Sequence, residues 1–155
     1  MFTLTRPVPP RCARNDPQPR RRTIHGHNAH APDYRPPGRC RLGCRQRRRH
    51  TSCWFPSVQT SEAAGGERHC VLAGGAPLDE EIVTSDDELC RFQYRIVGGG
   101  LPVAFHLGTI DVLDQGDRSL VIYSTEIDPD EVAGTLGPAI EDGLRGLKMY
   151  CESGN

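Results

Sequence analysis

The sequence from Trp54 onward predicts an α+β domain in which a curved antiparallel sheet wraps around one long C-terminal helix. Two observations predict it. Short runs that alternate apolar and polar residues, separated by turns rich in Gly, Asp and Pro, fill the chain to about residue 127. A single apolar stripe at spacings of three and four follows, from Val132 to Cys151. Period two marks half-buried strands, and the second spacing marks a helix with one buried face. At 155 residues the chain has room for one hydrophobic core.

The strands follow in order. Residues 68 to 73 read as a strand, Gly74-Gly75-Ala76-Pro77 as a turn, and residues 78 to 83 as the returning strand, with Leu78, Glu80 and Ile82 on one face. Thr84-Ser85-Asp86-Asp87-Glu88 reads as a polar connection. In the next run Cys90, Phe92, Tyr94 and Ile96 face one way and Arg91, Gln93 and Arg95 the other, so one side is buried and one is wet. Gly98-Gly99-Gly100 and Leu101-Pro102 lead to a strand over residues 103 to 113. A hairpin turn at Asp114-Gln115-Gly116-Asp117 then returns the chain over residues 118 to 127. Asp111 and Glu126 mark the wet side of that pair. Ala104, His106, Ile110 and Val112 therefore share the other side with Val121, Tyr123, Thr125 and Ile127.

For the helix, Asp128 is placed as N-cap, Pro129 as first helical residue, and Glu131 as the far member of a capping box. The stripe is Val132, Leu136, Ile140, Leu144, Leu147 and Cys151. Gly134, Gly137, Gly143 and Gly146 each cost about 1 kcal/mol relative to Ala, and Pro138 should kink the helix. Packing on a sheet must therefore hold it. About 22 residues at about 1.5 Å each give roughly 33 Å, the length of a ten-residue strand.

This order, an antiparallel meander followed by one long helix, resembles the polyketide cyclase/dehydrase and lipid-transport superfamily, the START-like or Bet v 1-like (SRPBCC) helix-grip proteins, and its small bacterial members in particular. The marks are Trp54-Phe55-Pro56, Gly66-Glu67-Arg68, Glu80 with Asp86 six residues later, Tyr94-Arg95-Ile96, Leu101-Pro102-Val103, Thr109-Ile110-Asp111-Val112, Asp128-Pro129 and Gly146-Leu147-Lys148. The resemblance implies a seven-stranded sheet gripping the last helix, two short helices after the first strand, and an apolar cavity that takes a small lipid-like or polyketide-like molecule. It also implies, by analogy with gating loops, that Gly98-Gly99-Gly100 beside Leu101-Pro102 acts as a lid.

The resemblance starts abruptly at Trp54, and no counterpart of the first strand or of most of the two short helices is legible before it. Residues 1 to 53 hold thirteen Arg, no Lys, two acids and eight of the thirteen Pro, for a formal charge of +11; residues 54 to 155 hold six bases and eighteen acids, for −12. The near-neutral total is a cancellation and says nothing about partners. The first segment has few large apolar residues, with no period connecting them, so it reads as a disordered arm. GC-rich DNA read out of frame gives the same Arg, Pro, Ala, Gly and His bias, so a disrupted frame or misassigned start is the sharper expectation, tested by translating the other upstream frames. Cys40, Cys44, His50 and Cys53 could in principle ligate zinc, but no hairpin or helix supports them, and no metal site is expected. Arg without Lys argues against a specific nucleic-acid arm.

No apolar run is long enough to span a bilayer or serve as a signal-peptide core, so the expected location is cytoplasmic, with the seven Cys as free thiols. No phosphate loop, nucleophile elbow or HExxH pattern occurs and no cofactor is expected. The site candidates are inward sheet positions and the helix stripe: Tyr94, His106, Tyr123, Ile140 and Leu144 as ligand contacts, and His106 with Glu80 as an acid/base pair. The plainer alternatives are packed strand aromatics for the tyrosines, a satisfied core or rim position for His106, and a nearby Arg as partner of Glu80. Two functions stay open: a non-catalytic carrier or sensor of an apolar molecule, and a cyclase or dehydratase. Glu80 and His106 within hydrogen-bond reach across an apolar pocket would favour the enzyme.

Overall fold

The computed structural model of the chain describes residues 22–26, 51–116 and 119–153. Its strands are β1 (Arg22–Gly26), β2 (Val58–Ala64), β3 (Glu67–Leu72), β4 (Pro77–Asp86), β5 (Arg91–Gly99), β6 (Phe105–Asp114) and β7 (Ser119–Asp128). A four-residue helix, α1 (Thr51–Trp54), precedes β2, and a 3-10 turn at Asp130–Val132 leads into α2 (Ala133–Glu152). The strands form one antiparallel sheet in the order β1-β7-β6-β5-β4-β3-β2. From β2 to β7 this is a meander, as the alternating runs predict. Together with the C-terminal helix it is the α+β helix-grip architecture.

Turn chemistry sets the hairpins. Gly65 and Gly66 both have positive φ, 62° and 96°, which is the primed turn that matches strand twist between β2 and β3. Register shifts between Asp79 and Glu80 and between Ile82 and Thr84 place two irregularities in β4 against β5, and such bulges bend a sheet. Strands β5 and β6 pair only from Arg91↔Asp111 to Tyr94↔Gly108. Beyond Tyr94, β5 continues on β4 while β6 continues on β7, and the sheet opens between them.

The buried core joins Trp54, Phe92, Ile110, Ile140, Leu144 and Leu147, with Tyr94 and Tyr123 in the same cluster. Val58, Cys70 and Leu78 make a second cluster, bridged to the first by Phe55. Two of the helix glycines have a packing reason. A Cβ on Gly143 would lie 2.6 Å from the Phe55 ring, and one on Gly146 would lie 1.9 Å from the Trp54 carbonyl oxygen. The helix gives up propensity there so that Trp54-Phe55-Pro56 can lie against it. Among the described residues no helix is long and apolar enough to cross a membrane.

Four expectations are corrected. A first strand does exist: β1 pairs antiparallel with β7, from Arg22↔Ile127 to Gly26↔Tyr123. Five residues without visible alternation are enough because the pairing is made by backbone. Strand β2 has no counterpart in the sequence reading, and β4 runs on through Thr84 and Ser85 to Asp86, because those residues pair with Gln93 and Phe92. Asp128 does not cap the helix. It ends β7 opposite Phe105, its carbonyl accepts the Ala104 N–H at 2.8 Å, and α2 begins at Ala133 and runs unbroken through Pro138. The remaining expectations for residues 1 to 53, including Cys40, Cys44 and His50, lie outside the described residues; Cys53 is exposed and free.

Candidate functional site: an apolar cavity with committed polar groups

A cavity of about 160 Å³ lies between the sheet and the start of α2. Among the described residues its apolar wall comes from Trp54 at the end of α1 and Phe55 just after it, Phe92 and Ile110 on the sheet, and Leu136 and Ala139 on the helix. The bends in β4 turn the inward positions of neighbouring strands toward the helix, and parity does the rest: Arg68, Cys70, Leu78, Glu80, Phe92 and Tyr94 are all inward and buried.

Two polar groups at this wall are charged. Arg68 and Glu80 stand opposite each other on β3 and β4, joined from Arg68 Nε to Glu80 Oε2 at 2.5 Å with both side chains under 5 % exposed. Arg68 Nη1 also donates to Thr51 Oγ1 at 2.7 Å, which ties α1 to the sheet. The guanidinium lies 5.0 Å from the Tyr94 ring centroid and 5.4 Å from that of Phe92. Burial works against the Arg68 charge, and Glu80 more than offsets it, so its pKa is raised. Cys70 donates its S–H to Glu80 Oε2 at 3.7 Å, and burial, reinforced by Glu80, pushes that thiol up to about 12. The thiol is therefore neutral at pH 7.

The tyrosines form the other polar group. Tyr94 on β5 and Tyr123 on β7 are hydrogen-bonded hydroxyl to hydroxyl across β6. Burial raises both pKa values, so both phenols stay protonated. Gly108, the β6 partner of Tyr94, makes the reach possible, since the ring lies over a position with no side chain. The edge of Phe55 meets the Tyr123 ring at 6.5 Å between centroids.

His106 sits elsewhere. It is 1 % exposed, and its Nδ1 accepts the Ile96 backbone N–H at 3.3 Å across the opening between β5 and β6. Accepting at Nδ1 puts the proton of the neutral ring on Nε2, which has no partner among the described residues; neither have Thr125 Oγ1 and the Trp54 indole Nε1 at the cavity wall. Burial lowers the His106 pKa to about 4. A second, more open hollow of about 380 Å³ occupies that opening; His106 lines it, and Ile96 and Leu101 line both spaces.

Of the residues singled out from sequence, Tyr94, Tyr123 and Glu80 therefore meet at one cavity. His106 does not line it, and Ile140 and Leu144 pack in the core while the first turns of α2 supply the helix wall. Glu80 and His106 are not assembled as a pair: Glu80 is engaged by Arg68. Arg68 was missed, although a turn centred on Gly74 sets residue 68 opposite residue 80 by hairpin arithmetic alone.

Residues 45–152 match the sequence profile of the family described as polyketide cyclase / dehydrase and lipid transport. No curated protein is significantly similar in sequence. The fold is similar to XoxI from Bacillus cereus, with a TM-score of 0.59 and 24% identity over 67% of this chain and 80% of that one. It is similar also to an uncharacterized Bacillus thuringiensis protein, with a TM-score of 0.64 and 19% identity over 85% and 97% of the two chains. A ginseng major latex-like protein from Panax ginseng gives a TM-score of 0.54 at 16% identity over 69% and 85%. At these identities the likenesses establish the fold.

Proposed function

The chain belongs to the polyketide cyclase / dehydrase and lipid transport family, and we propose that it binds and carries a small apolar molecule in the cavity between the sheet and α2, without transforming it. The observation that carries this reading is a mostly apolar wall whose two charged groups are bonded to each other. Arg68 is held by Glu80 and Thr51, and Tyr94 by Tyr123. Such a wall offers burial and orientation.

A cyclase or dehydratase needs an acid and a base that both reach one bound molecule. Glu80 is neutralised by Arg68, and His106 lines the separate opening. That arrangement supports carriage over catalysis. The loop from Gly98 to Ala104 flanks the outer hollow, and Ile96 and Leu101 form a wall common to both spaces, which suits passage of a ligand past them.

Native mass spectrometry of the purified full-length chain tests the reading. A non-covalent small-molecule adduct is expected on the wild type and is absent from Ala139→Phe, which fills the cavity from the helix side. A folded wild type that neither carries such an adduct nor takes up apolar probes refutes it.

A further inference from the structure

Resting on that reading, we infer that the ligand class is a neutral molecule of about one ring that bears an oxygen acceptor, held by the one O–H that the Tyr94–Tyr123 pair has left to donate.

Size comes first. The cavity is about 160 Å³. An engineered apolar cavity of about 150 Å³ takes a benzene, whereas pockets for drug-sized ligands span about 300 to 1,000 Å³. One ring with a short substituent fills this space, and a long acyl chain exceeds it.

Charge comes second. The only ionised lining side chains among the described residues are Arg68 and Glu80, which sum to zero and are bonded to each other. A ligand carboxylate would be placed in the same small space as Glu80 and a ligand ammonium in that of Arg68. Either would also lose its hydration on entry, a cost that no unpaired countercharge offsets.

The hydrogen bond comes third. Two phenols bonded to each other use one O–H, because one donates and the other accepts. The second O–H is left to donate, and the high phenol pKa values keep it protonated. Both residues line the cavity, where a ketone, aldehyde, ether or phenol oxygen can accept. A hydrocarbon would leave that donor unmet, which costs binding relative to an oxygenated ring.

Calorimetric titration of the full chain at pH 7 with acetophenone, toluene, benzoate and palmitate tests this. Acetophenone is expected to bind, with benzoate at least tenfold weaker and palmitate not bound. In the double variant Tyr94→Phe/Tyr123→Phe the affinity for acetophenone is expected to fall about five- to tenfold, the effect of one hydrogen bond, while that for toluene is unchanged. Removing both hydroxyls leaves no buried orphan; if the double variant unfolds, the infrared carbonyl band of acetophenone bound to the wild type serves instead, and it is expected at lower wavenumber than in an alkane because its oxygen accepts an O–H. Benzoate binding as tightly as acetophenone overturns the neutrality, and an unchanged acetophenone affinity in the double variant, or an unshifted carbonyl band, overturns the hydroxyl contact. Palmitate bound and acetophenone excluded overturns this ligand class but leaves the carrier reading intact. No binding of any of the four by folded protein overturns both.

Discussion

Tyr94 lies across Gly108. A Cβ built on residue 108 would sit 2.5 Å from Cε1 and 2.6 Å from Cζ of the tyrosine ring, closer than side-chain atoms ever approach. The missing side chain lets the ring cross β6 and reach Tyr123 on β7, so one glycine sets the position of the polar pair in the cavity. Gly108→Ala is expected to push the ring aside, cost about 1 to 3 kcal/mol as an overpacked site, and weaken binding of an oxygenated ring. Gly134→Ala is the contrast. It sits in α2 with nothing within 4 Å of its added Cβ, so the same change should stabilise by up to about 1 kcal/mol. Urea unfolding of both variants checks the pair; equal effects would remove the argument from Gly108.

The Arg68–Glu80 pair should be costly to break and cheap to replace. Glu80→Ala strands a buried guanidinium, and about 3 to 5 kcal/mol of stability is expected to go with it. Arg68→Met/Glu80→Leu removes both charges and should recover most of that loss, since desolvation offsets the attraction within a buried pair. Thr51 would lose its Arg68 partner only in the double variant. Denaturant midpoints of the two variants decide, and a double variant no more stable than Glu80→Ala would show the pair to be a net stabiliser.

Much of this arrangement can be read in the sequence, and the failures have physical reasons. The parity of β5 puts Phe92 and Tyr94 inside, and the helix stripe buries Ile140, Leu144 and Leu147. Periodicity reports burial and not which buried residue meets empty space, so it pointed to Ile140 and Leu144 where Leu136 and Ala139 line the cavity. Asp128-Pro129 reads as a helix start because local propensity favours a cap there, but the ladder with Phe105 holds Asp128 in β7. The opening between β5 and β6 leaves no local trace, since both strands alternate normally and merely choose different neighbours. Gly143 and Gly146 look like defects until Phe55 and the Trp54 carbonyl are placed against them.

Stability should fall between about pH 6.5 and 4 through His106. Burial lowers its pKa from 6.5 to about 4, so as pH falls the unfolded chain takes up a proton before the folded one does. The contribution is intact above 6.5, declines through that window and falls no further below 4. At about 1.4 kcal/mol per unit, the loss is on the order of 3 kcal/mol. His106→Asn keeps an acceptor for the Ile96 N–H and does not titrate. Its unfolding free energy should therefore change less between pH 7 and pH 4.5 than that of the wild type. Parallel pH profiles of the two proteins would place the titration elsewhere.

Strand β1 should protect the edge of β7. It pairs with Tyr123 through Ile127, and among the described residues none pairs with Ser119 through Ile122 on that side. An uncovered strand edge presents unpaired N–H and C=O groups and invites association. A chain beginning at residue 45 keeps the whole family-matched region but lacks β1. In hydrogen exchange it is expected to lose protection at residues 123–127, and in sedimentation it is expected to self-associate. The same comparison bears on whether residues 1 to 53 act as a disordered arm, because such an arm could be removed without effect. Identical exchange at residues 123–127 in the two chains, with both monomeric, would mean that β1 contributes nothing to the sheet and that the domain effectively begins near Trp54.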